Sequence, residues 1–340
     1  MGPHAWQPGA MSDPLVMPLR PAAPRRDSGR VHPVRAAVLA ACVALTACSS
    51  STPHPKPVTG AAASAGVVLR TRVLGSGAQI VVLLHGGPGL SLEEMTPYDQ
   101  LLSNNRTLVS FDQRGAGRTG SPPSGDLGLA AQVADVDAVR ISRHADRVWL
   151  LGQSWGGLLA AAYAAVHPDR VAGLVLIDAA PPDLDAFEHG QRVFQQRLRE
   201  LQQRGVIPAP LPGPLHGSCL PTLHAELPVY AANPAQPPRQ PAGVTCTAGT
   251  AAAVFAATVR RPVLAAIVNG LKTAHPAALI LTGASDPFGP SWPAAWHRLL
   301  PRAPVVTVPH AGHNPVLEQP RDVIKAVNEF LHDAPNTTRS

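Results

Sequence analysis

The sequence is poor in the residues and motifs that several common functions need. Aromatic side chains make up 4% of its 340 residues and charged side chains 15%, and no basic stripe carries interleaved aromatic residues. Nucleic acid is therefore not an expected partner. The chain also lacks the His-Glu-x-x-His, Walker and dinucleotide-binding patterns. The sequence thus gives no sign of the metal and nucleotide sites that these patterns mark.

Apolar residues and proline are plentiful by comparison. Hydrophobic residues make up 45% of the chain, enough for one large domain or for a domain with an insertion, and the 38 prolines require long irregular segments. The formal net charge is +6, but the first 47 residues hold five arginines against two aspartates. The other residues therefore carry a net charge of about +3, which indicates no strongly acidic partner.

The N-terminal segment has the order of features typical of an export signal. Four arginines between positions 25 and 35 precede an apolar run at residues 36–47, which is too short to span a bilayer as a stable helix. We interpret residues 1–47 as a signal peptide. A start at Met17 would give this signal a more usual length.

A cysteine directly follows the apolar run. The run ends in Leu45, Thr46, Ala47 and Cys48, and it resembles the lipobox of bacterial lipoproteins, in which the cysteine becomes the lipidated first residue. The resemblance implies a lipid anchor on Cys48, which would hold the protein on the outer face of the cell membrane through a flexible tether at residues 48–60. The alternative is an ordinary signal peptide and a secreted protein.

The chain has four cysteines, of which two remain for the folded protein. Cys42 lies inside the signal peptide and Cys48 is the expected lipidation site. Cys219 and Cys246 form an even pair in an exported chain, so we expect a disulfide between them. The alternative is two free, buried thiols.

The stretch around Ser154 predicts a nucleophile. Residues 148–151 are apolar like a buried strand, residues 152–156 have the pattern Gly-x-Ser-x-Gly, and residues 158–166 favour a helix. Strand, Gly-x-Ser-x-Gly and helix form the context of a nucleophile elbow, a tight turn that exposes the serine above a sheet. The alternative is an ordinary serine in a turn.

The chain as a whole alternates apolar strands with helices, which predicts an α/β fold with a mostly parallel sheet covered on both faces. The alternation stops after residue 180 and resumes near residue 276. We expect the core to comprise residues 61–180 and 276–335, and residues 181–275 to form an inserted, largely helical cap.

Two later loops offer an acid and a base. Asp286 follows one predicted strand and His313 follows the next, which places a serine, an acid and a histidine in the order of a catalytic triad. His313 would accept the serine proton and Asp286 would orient the imidazole. His310 is the alternative base and Asp178, at the end of an earlier strand, the alternative acid.

An oxyanion hole is expected beside Ser154. The strand at residues 80–84 ends in the run His-Gly-Gly-Pro-Gly, whose small residues let the backbone approach a ligand closely. We expect the amides of Gly87 and Trp155 to hold the oxyanion.

Three of these runs resemble signature loops of the prolyl iminopeptidase family of α/β-hydrolases: residues 85–89, 112–118 and 152–156. The resemblance covers residues 66–180 and 276–333. It implies a capped α/β-hydrolase, with a doubly wound and mostly parallel sheet, that releases N-terminal residues from small peptides through an acyl-enzyme and needs no metal or cofactor.

One feature of that family is missing from the cap. The family carries a Trp-x-x-Trp-Glu segment whose glutamate binds the substrate amine, whereas residues 181–275 contain no tryptophan. The sequence therefore does not predict a preference for proline. A desolvated ammonium group still needs an anionic partner, and we expect Glu188 and Glu226 to provide it.

Three functions compete at this stage. The first is a serine aminopeptidase or amidase, and the second is an esterase or lipase-like hydrolase of the same fold acting on small esters or amides. The third is a binding protein without activity that is displayed on the cell surface. The oxyanion loop, Ser154, Asp286 and His313 are all present in this order, which disfavours the third function.

Overall fold

The structure is a computed structural model that describes residues 56–103, 105–122 and 124–333. The predicted signal peptide and Cys48 lie outside these residues. Eight strands of the described part form one sheet in the order β1-β2-β4-β3-β5-β6-β7-β8. The strands are β1 (Val58–Ser64), β2 (Val67–Gly75), β3 (Gln79–Leu84), β4 (Arg106–Phe111), β5 (Val148–Gln153), β6 (Val171–Ile177), β7 (Ala278–Gly283) and β8 (Val305–Val308).

The sheet is mostly parallel, as the alternation of strands and helices predicts. The β1–β2 and β2–β4 pairs are antiparallel, and every pair from β4 through β3 to β8 is parallel. Parallel strands bring their carboxyl ends to one edge of the sheet, where α/β proteins hold their ligands. This edge carries the loops that follow β3, β5, β6, β7 and β8.

Helices cover both faces of the sheet. They are α1 (Leu129–Ser142), α2 (Trp155–Val166), α3 (Leu184–Gln203), α4 (Leu220–Tyr230), α5 (Thr250–Thr258), α6 (Arg261–Ala274), α7 (Ser291–Leu299), α8 (Pro315–Glu318) and α9 (Pro320–Asp333), with 3₁₀ helices at Leu92–Leu101 and Pro168–Arg170. Successive residues of β3 face opposite cores: Val82 and Leu84 pack with α1 and α2, and Val81 and Leu83 pack with α9. This alternation explains why the strands are apolar throughout.

The insertion is shorter than the expected cap at residues 181–275. Helix α6 packs along α2 at the face of the sheet, and a Cβ on Gly270 would lie 2.6 Å from the Cβ of Ala165. Helix α6 therefore belongs to the core layers. We use the name insert for residues 181–260, which include α3, α4 and α5.

One other boundary differs from expectation. The expected tether at residues 48–60 ends too late, because β1 begins at Val58 and pairs with β2 from its first residue.

The insert ends at a break between two helices, α5 and α6. Pro262 lies in the first turn of α6, where its missing N–H costs nothing, but it cannot continue α5.

The insert is held by aromatic packing and by one covalent bond. The long helix α3 turns Phe187, Phe194 and Leu198 inward, where the two phenylalanines contact aromatic rings of the core. Cys219 and Cys246 are joined by a disulfide, as the cysteine count predicts. No single helix of the described residues has the length and composition to cross a membrane; α5 and α6 reach that criterion only when joined across a bend of 69°.

Candidate active site

Ser154 lies at the sharp turn between β5 and α2. Its backbone has φ 53° and ψ −115°, a conformation that non-glycine residues adopt rarely and that is characteristic of strained functional turns. The turn is held at both ends, because the Ser154 amide donates to the Ile177 carbonyl at 2.9 Å and the Ser154 carbonyl accepts from Gly157 and Ala180. The elbow is thus built into the end of the parallel sheet.

The two glycines of the elbow have no space for a side chain. A Cβ on Gly152 would lie 2.2 Å from the Gly156 carbonyl oxygen, and one on Gly156 would lie 2.1 Å from the Leu84 carbonyl oxygen. Neither gap could hold a methyl group without moving backbone. The Gly-x-Ser-x-Gly pattern is therefore a steric requirement of this turn.

His313 and Asp286 meet at the same edge of the sheet. They follow β8 and β7, and the His313 Nδ1 lies 3.2 Å from the Asp286 Oδ1 with both side chains buried. His310, the alternative base, is exposed. The structure therefore brings His313, and not His310, against the acid.

Gln153 places the histidine loop next to the nucleophile. Its side-chain amide donates to the His313 carbonyl at 2.5 Å, and its Oε1 accepts from the Tyr98 hydroxyl. Within the described residues the Ser154 hydroxyl and the His313 Nε2 form no hydrogen bond, which leaves both available to each other and to a substrate. Catalytic hydrogen bonds are often long in the free enzyme and tighten when substrate binds.

Asp286 is held in its charged form. Burial by itself would raise the pKa of Asp286, but the charge and hydrogen bond of His313, the neighbouring Asp178 carboxyl group and the Phe288 amide together place the pKa below its usual value. An ionised Asp286 fixes the Nδ1-protonated form of His313 and stabilises its positive charge.

Asp178, the alternative acid, lies behind Asp286 and does not contact the imidazole by hydrogen bonding. Its Oδ1 accepts from the Thr282 hydroxyl at 2.7 Å and from the Gly283 amide at 3.0 Å. Burial and the charge of Asp286 raise the pKa of Asp178 well above its usual value. The two acids that the sequence left open therefore occupy one site, and their pKa values are shifted in opposite directions.

The predicted oxyanion loop is fixed by a histidine with one defined tautomer. His85 donates from Nδ1 to the Gly86 carbonyl at 2.9 Å and accepts at Nε2 from the Gln113 amide at 3.1 Å. Burial lowers the pKa of His85, so the ring is neutral. Within this loop, Gly87 has a φ of 108°, which favours glycine, and its amide forms no hydrogen bond within the described residues.

Gln113 links the oxyanion loop to the side chain of Trp155. Its side-chain amide donates to the His85 carbonyl at 2.8 Å, and its Oε1 accepts from the Trp155 indole at the same distance. Trp155 begins α2, so its backbone amide has no partner inside the helix. Sequence reasoning assigned no role to Gln113; its place in the run at residues 112–118 was the available signal.

A second residue that sequence reasoning missed is Glu94. Its Oε2 accepts from the Gly86 amide at 2.5 Å, and its side chain is buried under the oxyanion loop. Burial raises the pKa of Glu94 to about 7, a shift that the Gly86 hydrogen bond and His313 reduce only in part. A glutamate in a stretch of mixed polarity carries no signal of such burial.

The insert contacts the histidine loop along what we call the seam, formed by residues 230–232 against Gly312 and His313. The His313 amide donates to the Tyr230 carbonyl at 2.8 Å, and the Tyr230 ring lies 5.5 Å from the imidazole. Glu318 bridges the two sides, since it accepts from the amides of Gly312 and Ala232. The insert thus helps to hold the candidate base.

The segment between Cys219 and Cys246, which includes residues 230–232 of the seam, also contacts the oxyanion loop. Next to Cys246, the Thr247 amide donates to the Gly89 carbonyl at 2.9 Å and the Thr245 amide donates to the Ser91 hydroxyl at 3.0 Å. The segment between the two cysteines therefore runs from the oxyanion loop to the seam.

The two glutamates predicted to bind an amine differ in their surroundings. Glu188 is exposed on α3. Glu226 is partly buried on α4, one helical turn before Tyr230, and burial raises its pKa. Glu226 forms no hydrogen bond or ion pair within the described residues.

The arrangement can perform nucleophilic acyl transfer. Ser154, His313 and Asp286 supply a nucleophile, a base and an orienting acid at the carboxyl edge of a parallel sheet, beside two free backbone amides. Within the described residues, the side chains of Asp178, Asp286 and His313 also place ligand atoms within 4.8 Å of one another, close enough to hold a cation. The His313–Asp286 hydrogen bond uses two of these atoms in the triad arrangement.

The topology of the sheet and the residues at its carboxyl edge agree with a known protein family. A model of the alpha/beta hydrolase fold family matches residues 79–320, and the chain belongs to that family. The predicted fold class is confirmed.

The individual proteins that the chain is similar to include peptidases and an esterase. A proline iminopeptidase of Levilactobacillus brevis is 33% identical over 135 residues, which cover 39% of this chain and 45% of that protein. The chain thus spans less than half the length of this relative. The structure of a proline iminopeptidase from Mycobacterium smegmatis matches with a TM-score of 0.59 at 20% identity, covering 81% of this chain and 98% of the other. A thermophilic esterase from Thermogutta terrifontis matches with a TM-score of 0.57 at 25% identity, covering 82% and 99%.

Proposed function

We propose that the protein is a serine hydrolase that acts through an acyl-enzyme on Ser154. His313 removes the hydroxyl proton as Ser154 attacks the substrate carbonyl, and later donates it to the leaving group. Asp286 stabilises the imidazolium. The amides of Gly87 and Trp155 hold the oxyanion, each contributing roughly 3–4 kcal/mol to the transition state.

We propose further that the substrate is a small peptide with a free N-terminal amine, from which the enzyme releases the first residue. The observation that carries this proposal is Glu226, a partly buried carboxylate without an ionic partner, one helical turn from the tyrosine that packs on His313. A substrate ammonium held near the scissile carbonyl would supply the missing counter-charge. The likeness to proline iminopeptidases supports the same reaction. Glu188 receives no such support, because it is exposed.

The test compares an aminoacyl arylamide that has a free amine with its N-acetylated form, on the wild type and on Glu226→Gln. We expect acetylation to lower kcat/KM of the wild type by about 10²-fold or more, the cost of an unpaired buried charge. Glu226→Gln should remove most of this discrimination. Glu188→Gln, at an exposed position of the same insert, is the matched control and should keep it.

The alternative is an esterase or amidase of the same fold. It is favoured by the absence of tryptophan from the insert, where the resembled family carries its amine-binding segment. If acetylation leaves kcat/KM unchanged while short-chain esters are hydrolysed, the esterase replaces the aminopeptidase.

We also propose that the mature protein is anchored to the membrane by a lipid on Cys48, which lies outside the described residues. The support is the lipobox-like run that ends at this cysteine. Metabolic labelling with a lipid precursor should label the wild type and not Cys48→Ser. A soluble, unlabelled mature protein would show that the signal peptide is an ordinary one.

A further inference from the structure

Two carboxyl oxygens at the candidate site have no partner. Within the described residues, the Oδ2 atoms of Asp178 and Asp286 are both buried and neither accepts a hydrogen bond from a recorded donor. Their Oδ1 atoms are fully engaged: that of Asp178 with Thr282 and Gly283, and that of Asp286 with His313 and Phe288. Buried carboxyl oxygens are rarely left without a partner, so this pair needs an explanation.

The two side chains are close to each other and to the base. Ligand atoms of Asp178, Asp286 and His313 all lie within 4.8 Å of one another. Asp178 itself has a φ of 41°, in the left-handed region that few non-glycine residues adopt. Thr282 and Gly283 hold one of its oxygens on the side of β7, which leaves the other for the acid of the next loop.

Two carboxylates cannot both be charged at this separation without a cation between them. The charged and titratable groups that face the pair are His313, Tyr98, Tyr230 and Arg197. Burial raises the pKa of both tyrosines, so they are neutral, and the His313 imidazole forms a hydrogen bond with Asp286 and none with Asp178. The Arg197 guanidinium donates to the carbonyls of Ser285 and Ala231 rather than to either acid. One of the two acids must therefore keep its proton.

The surroundings decide which acid keeps it. Asp286 contacts the imidazole, which gains a positive charge during the proposed reaction, and it accepts a backbone N–H. Asp178 has no cationic neighbour within hydrogen-bonding distance, and burial together with the charge of Asp286 favours its neutral form. A proton on Asp178 would give both orphaned oxygens a partner, because the new O–H group can donate to Asp286.

We propose that Asp178 is a positioning residue that stays protonated and donates a hydrogen bond from Oδ2 to the Oδ2 of Asp286. The inference rests on the proposed function in taking Asp286 as the acid of a Ser-His-Asp triad. Asp178 touches neither substrate nor serine, and its proton stays on Asp178 throughout the reaction. Its effect is to hold the Asp286 carboxylate in plane with the imidazole and to share its negative charge.

The proposal predicts a difference between two substitutions. Asp178→Asn keeps both functions of the carboxyl group, since its Oδ1 can accept from Thr282 and Gly283 and its amide can donate to Asp286. We expect kcat/KM within about threefold of the wild type. Asp178→Leu has the same branching with a larger side chain and no donor, and we expect kcat/KM to fall about tenfold or more. Without the hydrogen bond Asp286 bears its full charge, so the acidic limb of the pH profile should move to higher pH in this variant.

A spectroscopic measurement tests the proton directly and does not depend on activity. The difference between infrared spectra of the wild type and of Asp178→Asn at pH 7 should contain the C=O stretching band of one protonated, buried carboxyl group. The same band should persist in Ser154→Ala. Its absence from the wild type would overturn the proposal even if Asp178→Leu failed to fold.

Asp286→Asn provides the comparison that separates this proposal from the proposed function. It should lose about 10⁴-fold in kcat, as expected when the orienting acid of a triad is neutralised. If Asp178→Asn lost as much as Asp286→Asn, Asp178 would be a charged acid and the proposal would fail. If Ser154→Ala kept full activity while the infrared band was present, the triad would be wrong and the protonated carboxyl group would stand.

Discussion

The core and the insert build the candidate site by different means. In the core, the carboxyl ends of β5, β7 and β8 place the three candidate triad residues through sheet topology, and every strand is paired over most of its length. The insert has no strand in that sheet. It reaches the site through stacked aromatic rings, the disulfide and a few backbone hydrogen bonds. The reacting groups and the groups that surround them therefore come from different parts of the chain. The core carries the candidate triad, and the insert contacts the histidine loop and supplies the carboxylate of Glu226.

The largest effect should come from the core. Ser154→Ala removes the nucleophile, and we expect a loss of about 10⁴-fold or more in kcat together with loss of labelling by fluorophosphonate probes. The fold should persist, since no hydrogen bond within the described residues uses the hydroxyl. Unchanged turnover in the variant would show that the hydrolase uses another group.

The base gives a similar effect and has a matched control on its own loop. His313→Ala should lose about as much activity as Ser154→Ala, because members of a triad act as a unit. His310→Ala, three residues away and exposed, should keep it. The reverse pattern would transfer the role of base to His310.

The seam joins the insert to the histidine loop of the core, and a single substitution can separate the two. A Cβ on Gly312 would lie 2.0 Å from the Tyr230 carbonyl oxygen, so Gly312→Ala must push the insert and the histidine loop apart. A displacement of about 1 Å at the catalytic histidine costs on the order of 10²-fold in rate, and we expect a loss of kcat of that size.

Gly213→Ala is the control for this substitution. Gly213 also lies in the insert, and a Cβ there would meet no atom within 4 Å. We expect wild-type rates and an unchanged unfolding midpoint. Equal losses in both glycine variants would mean that the insert responds to any substitution and that the seam has no special role.

The disulfide should matter to stability more than to chemistry. Its cysteines are 27 residues apart, and closing such a loop stabilises the folded state by roughly 3–4 kcal/mol in the chain-entropy model. The double variant Cys219→Ser, Cys246→Ser should lose about this much in urea unfolding, with a smaller loss of kcat/KM than Gly312→Ala, because the Thr247–Gly89 pairing remains. If the reduced wild type and the variant unfold at the midpoint of the oxidised protein, the bond does not constrain the chain.

Glu94 should produce the smallest effect, and one that depends on pH. Its pKa is raised by burial from 4.5 to about 7, so the folded state binds the proton more tightly than the unfolded state does. The stabilisation is complete below about pH 4.5 and is lost as pH rises towards 7, which lowers the free energy of unfolding by about 3 kcal/mol.

Glu94→Gln keeps an acceptor for the Gly86 amide and cannot ionise. The difference in the free energy of unfolding between wild type and variant should therefore change between about pH 4.5 and 7 and be flat outside that range. A difference that is constant across this range would mean that Glu94 titrates at its ordinary value in the folded protein.

The same contrast explains what could be predicted from the sequence. The strands and the elbow were predictable because buried parallel strands are apolar throughout and because the turn at Ser154 allows only glycine at positions 152 and 156. Asp286 and His313 were predictable from their order along the chain. The role of Asp178 was not predictable, because the sequence does not show whether an aspartate at a strand end is charged or protonated.

The insert was much less predictable. Its end was placed too late, because the period of a core helix such as α6 does not differ from that of a cap helix. The partial burial of Glu226 and the seam depend on contacts with loops far away in the chain. The start of the insertion after residue 180 and the disulfide, which follows from counting cysteines, were accessible to sequence reasoning.

The hydrogen bonds that hold the histidine loop have a consequence for how the chain folds. The hydrogen bond from Gln153 to His313 joins residues 160 positions apart, and that from Ala232 to Glu318 joins residues 86 positions apart. Closing such long segments costs conformational entropy before any contact compensates for it, and contacts of this kind form late in folding. Enzymatic competence should therefore return after secondary structure during refolding, and a nascent chain should gain it only when β8 and the distal partners that follow it, His313 and Glu318, have joined the core.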